Sequence, residues 1–340
     1  MRLTLPLLIL SPIILAVLIT TSAADERTNI VLIMCDDMGY SDLGCYGGEI
    51  ETPNIDRLAA EGLRFKQFYN CAKCTTTRAS VVTGLHPRQG KGGLLREDMV
   101  TIGEVLGAAG YQTSLSGKWH LGSTPAECGF NFVNFFRSNG PYYNRSVLSH
   151  GKKKRVEGFI DDYVAEQSIQ FLESAAPKNA PWVLWMCTQV PHMNHKFDWN
   201  ARDETLALYE PATMPVPKTW QDDLAGKPPY LKNARSRTQD RKYGYDDRRA
   251  IQRHWQRYCA AVTEVDAAIG KVLQAVDRLG LADNTWFLFM GDNGWFMGEH
   301  GFTSKVLPYE ESIRVPMILA GPGVKPHVDD HLVPVSYTHL

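Results

Sequence analysis

Residues 29–35 read NIVLIMC, and the run stops abruptly at Asp36-Asp37. An apolar stretch with no polar alternation cannot lie half in water. As a strand it must be buried on both faces, which requires a sheet covered by helices on each side. Residues 111–117, 182–188, 285–291 (TWFLFMG) and 315–320 (VPMILA) read as further strands, and helical segments separate them. Thr52-Pro53 opens a helix running towards Gly62, and Thr101-Ile102-Gly103-Glu104 is a capping box for a helix that stops near Gly110. Residues 161–175 and 251–279 supply two more helices, with a polar, proline-rich stretch between them from Pro191 to about Arg249. Strands alternating with helices predict an α/β fold, a mostly parallel sheet sandwiched by helices.

Open sheets of this kind bind ligands just beyond the carboxyl ends of their strands. Four strands are followed directly by chemistry: Asp36-Asp37, Lys118-Trp119-His120, Pro191-His192 and Asp292-Asn293-Gly294. Taken singly, each is an ordinary turn or cap. All four on one rim make a site. Asp36, Asp37, Asp292 and Asn293 are hard oxygen donors, which suit calcium or magnesium and disfavour zinc. In residues 71–84, CAKCTTTRASVVTG, Cys74 stands at the mouth of a helix ending at Gly84, with Arg78 one turn on. A helix N-terminus and a nearby guanidinium both favour negative charge, and the spacing predicts a lowered thiol pKa.

The rest of the chain sets boundaries. Arg2, an apolar run over residues 3–19 and the small residues Ser22-Ala23-Ala24 predict a secretory signal peptide over residues 1–24. No later segment has the ~20 uninterrupted apolar residues of a membrane span. The formal net charge of −1 gives no reason to expect nucleic acid as a partner. The basic run Lys152-Lys153-Lys154-Arg155 reads as a solvated loop face. Seven cysteines do not make a small disulfide scaffold, and an odd thiol in an exported chain calls for a use. Phe197, Trp199 and Trp220 are candidates for stacking on sugar or aryl rings, although loop aromatics are more often packing anchors. Asn144-Arg145-Ser146 is a glycosylation sequon if the host is eukaryotic.

The order DDMG, CTTTRASVVTG, GKWHLG, PH, GDNG with GEHG, and then Lys305 resembles the sulfatase family of the alkaline phosphatase superfamily, from Asn29 to about Gly321. The resemblance implies an alkaline phosphatase-like catalytic domain over residues 25–332 and hydrolysis of sulfate esters. Cys74 matches the cysteine converted to formylglycine by a formylglycine-generating enzyme. Asp36, Asp37, Asp292 and Asn293 match the ligands of one calcium ion, with the modified Cys74 as a further ligand. Arg78 matches the arginine that holds the modified residue, and Lys118 and Lys305 match the lysines that bind sulfate oxygens. His120 matches the histidine that bonds the formylglycine hydrate, and His192 the one that protonates the leaving alcohol. The hydrate attacks sulfur with one hydroxyl, and the second later expels sulfate without water attacking sulfur. A histidine near neutral pKa suits each proton transfer. The substrate is a sulfated small molecule or polysaccharide, met in the periplasm, outside the cell or, in a eukaryote, in the lysosome.

The chain departs from the family pattern twice. Thr76 stands where the modification motif has proline or alanine. Residues 333–340 (VPVSYTHL) do not resemble the family's continuation, so they read as a non-native tail, with a smaller C-terminal subdomain largely missing. Two other functions follow from these departures. One is a metal-dependent phosphoesterase of the same superfamily, attacking through one of Thr75 to Thr77. The other is an inactive relative that only binds sulfated ligands.

Overall fold

The computed structural model describes residues 27–335, apart from 90–94, 97, 179 and 240. The expected signal peptide and residues 336–340 of the expected tail therefore lie outside the described residues. In chain order the main elements are β1 (Asn29–Asp36), α1 (Pro53–Glu61), β2 (Leu63–Tyr69), α2 (Cys74–Thr83), α3 (Ile102–Ala108), β3 (Gln112–Lys118), β4 (Phe132–Phe136), β5 (Ser146–Ser149) and β6 (Lys152–Arg155). There follow α4 (Ile160–Ala175), β7 (Trp182–Pro191), α5 (Asp203–Leu206), α6 (Arg235–Thr238), α7 (Arg248–Arg278), β8 (Thr285–Gly291), β9 (Phe296–Met297), β10 (Thr303–Ser304), α8 (Glu310–Ile313), β11 (Met317–Ala320) and β12 (His327–Pro334).

Ten strands form one mixed sheet in the order β12-β2-β11-β8-β1-β7-β3-β4-β5-β6. Its centre, β8-β1-β7-β3-β4, is parallel throughout, so the carboxyl ends of these strands share one edge. β11 runs antiparallel between β8 and β2, and the β5-β6 hairpin adds two antiparallel strands at the far edge. The run 29–35 is apolar without alternation because it feeds two cores. Val31, Ile33 and Cys35 face the layer built with α1, α4 and α7, while Leu32 and Met34 face the layer containing Val81, Val82 and Phe130. In β7, Leu184 and Met186 divide from Trp185 and Cys187 in the same way.

Capping was read well at α3, where Thr101 Oγ1 accepts from the Glu104 amide and Glu104 returns a bond to the Thr101 amide at 2.8 Å. At α1 the cap is different. Thr52 makes no capping bond and instead hydrogen-bonds Asp56 at 3.0 Å. The 31-residue α7 starts at an Asp247 cap, whose carboxylate accepts from the Ala250 amide at 2.7 Å. Such a cap stabilises a helix by about 1 kcal/mol.

The basic run is not a loop. Lys152 to Arg155 form the exposed edge strand β6, and charged side chains on an edge discourage pairing with other chains. Val333 and Pro334 pair with Phe68 and Tyr69 of β2, so the start of the expected tail is the end of a strand.

Candidate active site

Each rim residue owes its place to a strand end. Asp36 closes β1 and Asp37 follows it at φ 66°, a left-handed conformation that costs a non-glycine residue free energy. Lys118 closes β3 and is wholly buried, and His120 follows at φ 61°. Asp292 and Asn293 follow β8, and both are wholly buried. His192 follows Pro191 at the end of β7, its Nδ1 2.8 Å from the Met193 carbonyl. Lys305 arrives from a separate loop, flanked by Ser304 at φ 71° and Val306 at φ 84°. The left-handed backbone that L-residues avoid is thus concentrated around these side chains, as expected where position outranks local comfort.

These groups meet. The Arg78 Nε donates to Asp292 Oδ2 at 2.8 Å, and its terminal nitrogen donates to the Lys118 carbonyl at 2.6 Å. The Lys118 ammonium pairs with Asp36, and the Lys305 ammonium pairs with Asp37. The Asn293 amide also donates to Asp37, and the His192 Nε2 lies 3.6 Å from Asp37 Oδ2. The Cys74 Sγ sits 2.8 Å from the Lys305 Nζ, 4.0 Å from the Lys118 Nζ and 3.9 Å from Asp37 Oδ1. Cys74 is the first residue of α2, and Gly84 in the left-handed conformation closes that helix as the sequence predicts. The thiol itself departs from expectation. Burial outweighs the neighbouring lysines and pushes it up to about 12, so an unmodified Cys74 is a neutral thiol. His120 and His192 differ in the same sense: burial draws both down to about 3, and the rings stay neutral.

Three buried carboxylates crowd this space, and their electrostatics are unfinished. Burial opposes ionisation of Asp36, but Lys118, His192, Lys305 and Arg78 hold it well below the usual carboxylate range. Burial raises Asp37, and burial with the Asp36 charge pushes Asp292 up to about 7. Asp36 Oδ1, Asp37 Oδ2 and Asn293 Oδ1 are buried without a hydrogen-bond partner. Ligand atoms of Asp36, Asp37, Cys74 and Asp292 all lie within 4.8 Å of one another. Unpartnered buried oxygens beside competing carboxylates fit a hard divalent cation, which would satisfy the lone pairs and relieve the repulsion together.

Above the cluster opens a cavity of about 560 Å³, whose lining includes Cys74, His120, His192 and Lys305. With that geometry in view, the match to known proteins is direct. A family model described as Sulfatase covers residues 28–338. The chain belongs to the sulfatase family. It is 29% identical to the N-acetylglucosamine-6-O-sulfatase of Bacteroides thetaiotaomicron over 87% of this chain and 63% of that protein. It is 30% identical to an arylsulfatase of Clostridium perfringens over 87% of this chain and 69% of that protein. Among solved structures, a protein in complex with its substrate D-glucosamine-2-N,6-O-disulfate matches with a TM-score of 0.80 at 27% identity, over 91% of this chain and 74% of that one. This member therefore spans somewhat under two thirds of the Bacteroides sulfatase it matches.

Every sulfatase site residue expected from the sequence is brought to this rim. Several supporting residues carried no local signal. The Tyr258 hydroxyl, on α7, lies 3.0 Å from the Asp37 carbonyl and 2.5 Å from the Asp42 carboxylate. Asp161, on α4, accepts from the amides of Gln189 at 2.9 Å and Val190 at 3.0 Å, just before His192. Of the three candidate stacking aromatics, only Phe197 lines the cavity. Trp199 and Trp220 are anchors, their indole nitrogens donating to the Pro191 and Tyr245 carbonyls, each at 2.6 Å.

Proposed function

We propose that this chain hydrolyses sulfate esters, with Cys74 converted to formylglycine and one calcium ion held by Asp36, Asp37, Asp292, Asn293 and the modified residue. The position of Cys74 supports the reading: its Sγ lies beside Lys305, Lys118 and the carboxylate cluster. Formylglycine would supply a hydrated aldehyde, one hydroxyl to attack sulfur and a second to release sulfate. Calcium would neutralise sulfate oxygens while the ester bond breaks.

The remaining work falls to the chain's own side chains. Lys118 and Lys305 would bind the ester's oxygens, their charge stabilising the transition state. Without a metal, three buried carboxylates balance the cations of Arg78, Lys118 and Lys305, so a divalent ion makes the site net positive towards an anionic ester. Arg78 would hold residue 74 and the Lys118 backbone in register. His120, whose Nδ1 is buried without a partner, would bond the hydrate. With its Nδ1–H on the Met193 carbonyl, a neutral His192 presents a bare Nε2, so it would protonate the leaving alcohol only as the imidazolium, after taking up a second proton at Nε2.

A sulfated saccharide is the favoured substrate class, since relatives by sequence and by structure act on sulfated amino sugars. A formylglycine-generating enzyme would be the partner in maturation. Export through residues 1–24 would bring the protein to the periplasm, the extracellular space or the lysosome. No helix among the described residues is long and apolar enough to cross a membrane. The phosphoesterase alternative has less support. The described residues hold one metal-competent cluster where such relatives need two metals; Thr77 accepts from the Cys71 amide and Thr76 bonds the Lys73 carbonyl, while Thr75 Oγ1 is buried without a partner.

The test is to co-produce the chain with a formylglycine-generating enzyme and weigh the tryptic peptide of residues 74–78. An aldehyde mass together with sulfate release from sulfated glucosamine is expected. An intact thiol beside a converted control peptide would overturn the formylglycine reading.

A further inference from the structure

The lining of this cavity includes, besides Cys74, His120, His192 and Lys305, a further group, Lys73, Phe197, Arg235 and Tyr243, taken together as its outer part. Among the described residues, no aspartate or glutamate lines it. Lys73 and Arg235, both exposed, line it as well, and neither forms an ion pair among the described residues. These two cations are not part of the cluster around Cys74, whose own lysines are committed to Asp36 and Asp37. The same cavity is lined by Phe197 and Tyr243, stacked at 4.9 Å between ring centres with 29° between planes and with the Lys242 ammonium over both rings. Phe197 sits in the left-handed region at φ 63° within a turn closed by its amide on the Asn194 carbonyl, keeps 44% of its surface exposed, and has the Lys242 ammonium 5.3 Å from its ring centre. The volume of about 560 Å³ accommodates more than one sulfated ring.

A sulfate held at Cys74 leaves Lys73 and Arg235 without an anion. In a partly enclosed cavity whose described lining holds no carboxylate, such cations attract a second negative group far better than they would on an open surface. Aromatic side chains offer an apolar face to the C–H side of a sugar ring. Resting on the hydrolase reading above, we propose that the outer cavity is an anion subsite. Lys73 and Arg235 grip a second sulfate or carboxylate on a saccharide whose ring lies against Phe197 and Tyr243. The protein thereby selects polyanionic saccharides over aryl sulfates with a single charge.

The test uses the full chain with Cys74 converted, conversion being checked by peptide mass in every variant. The kcat/KM is measured on 4-nitrophenyl sulfate, on a disulfated glucosamine and on a monosulfated disaccharide bearing a uronate. The selectivity ratio is the value on a doubly charged saccharide divided by that on the aryl sulfate. In the unsubstituted chain this ratio exceeds tenfold and shrinks as salt is added. Arg235→Gln lowers it at least tenfold, mainly through KM, and Phe197→Ala lowers it further. Lys152→Gln, on the distant edge strand, serves as the control for non-specific charge. A loss confined to the disulfated or to the uronate substrate identifies which anion the subsite takes. A ratio near one, or one that falls less than twofold in Arg235→Gln, overturns the proposal. Absence of turnover on every ester refutes the hydrolase reading instead. Equilibrium binding of the disulfated glucosamine then decides the subsite alone: tenfold weaker binding to Arg235→Gln sustains it, and equal binding overturns it.

Discussion

Replacing Arg78 by alanine separates the electrostatics of this site from its packing. The guanidinium is 1% exposed, Asp292 is wholly buried, and their bond is 2.8 Å long. At an effective dielectric of about 20, a unit pair at that distance attracts by roughly 6 kcal/mol, and desolvation of both ions offsets part of it. Breaking one side of such a pair costs about 3–5 kcal/mol, because the partner is left buried and uncompensated. Arg78→Ala also strands the Lys118 carbonyl, to which Arg78 donates at 2.6 Å. Urea unfolding followed by tryptophan fluorescence, in EDTA so that no metal contributes, is expected to show a loss in that range. The decisive measurement is the double-mutant cycle with Asp292→Asn. If charge pairing dominates, the two losses are strongly non-additive, with a coupling of about 2 kcal/mol or more. Additivity within about 0.5 kcal/mol would refute the pairing argument and leave Arg78 held by packing and the Lys118 carbonyl alone.

Three further outcomes follow from the same geometry. Calcium added to metal-free protein at about 100 times its Kd is expected to raise unfolding stability by about 2.7 kcal/mol, and Asp37→Asn should abolish the gain; an unchanged midpoint in calcium would count against the cation site. Burial raises Asp161 to about 7, so between pH 4 and 7 the unfolded chain loses a proton that the folded chain keeps, and stability falls as pH rises. The penalty, up to about 4 kcal/mol, is complete above pH 7 and absent below pH 4; Asp161→Asn should flatten this dependence in urea titrations, and an unaltered slope would exclude Asp161 as its source. Gly117 has φ 108°, and an added Cβ would lie 1.8 Å from the Cys187 carbonyl oxygen, so Gly117→Ala should cost about 3 kcal/mol or more; near-normal urea stability would contradict the close approach of β3 to β7.

The legible part of this fold was whatever burial on both faces writes into composition. The runs at β1 and β8 are apolar almost throughout and end where the apolar stretch ends, while β7 runs on through Thr188 and Gln189 to Pro191; the rim residues at these ends could still be placed from spacing. β2 (LRFKQFY) was missed because it is only half-buried and alternates with charged residues. β6 was missed because an edge strand of lysines carries no apolar signal at all, and its charge there is a property of the edge.

The same distinction runs through the site. Residues at strand ends were legible because topology delivers them to one place. Tyr258 and Asp161 were not, because Tyr258 lies inside the long α7 and Asp161 reads as an ordinary first-turn acid of α4, and each acquires its role from a contact more than two dozen positions away in sequence. The direction of titration was misread for a related reason. A helix N-terminus and an arginine lower a thiol pKa at a surface, but Cys74 lies beneath the rim, where desolvation outweighs both. A buried neutral thiol is a poor nucleophile, so the depth that protects this cysteine also makes its thiol unsuitable for the chemistry around it. On the proposed reading, the position gains its use when the sulfur is exchanged for an oxygen nucleophile. For that reason, the mass of the peptide of residues 74–78 bears on the mechanism more directly than any substitution of the surrounding charges.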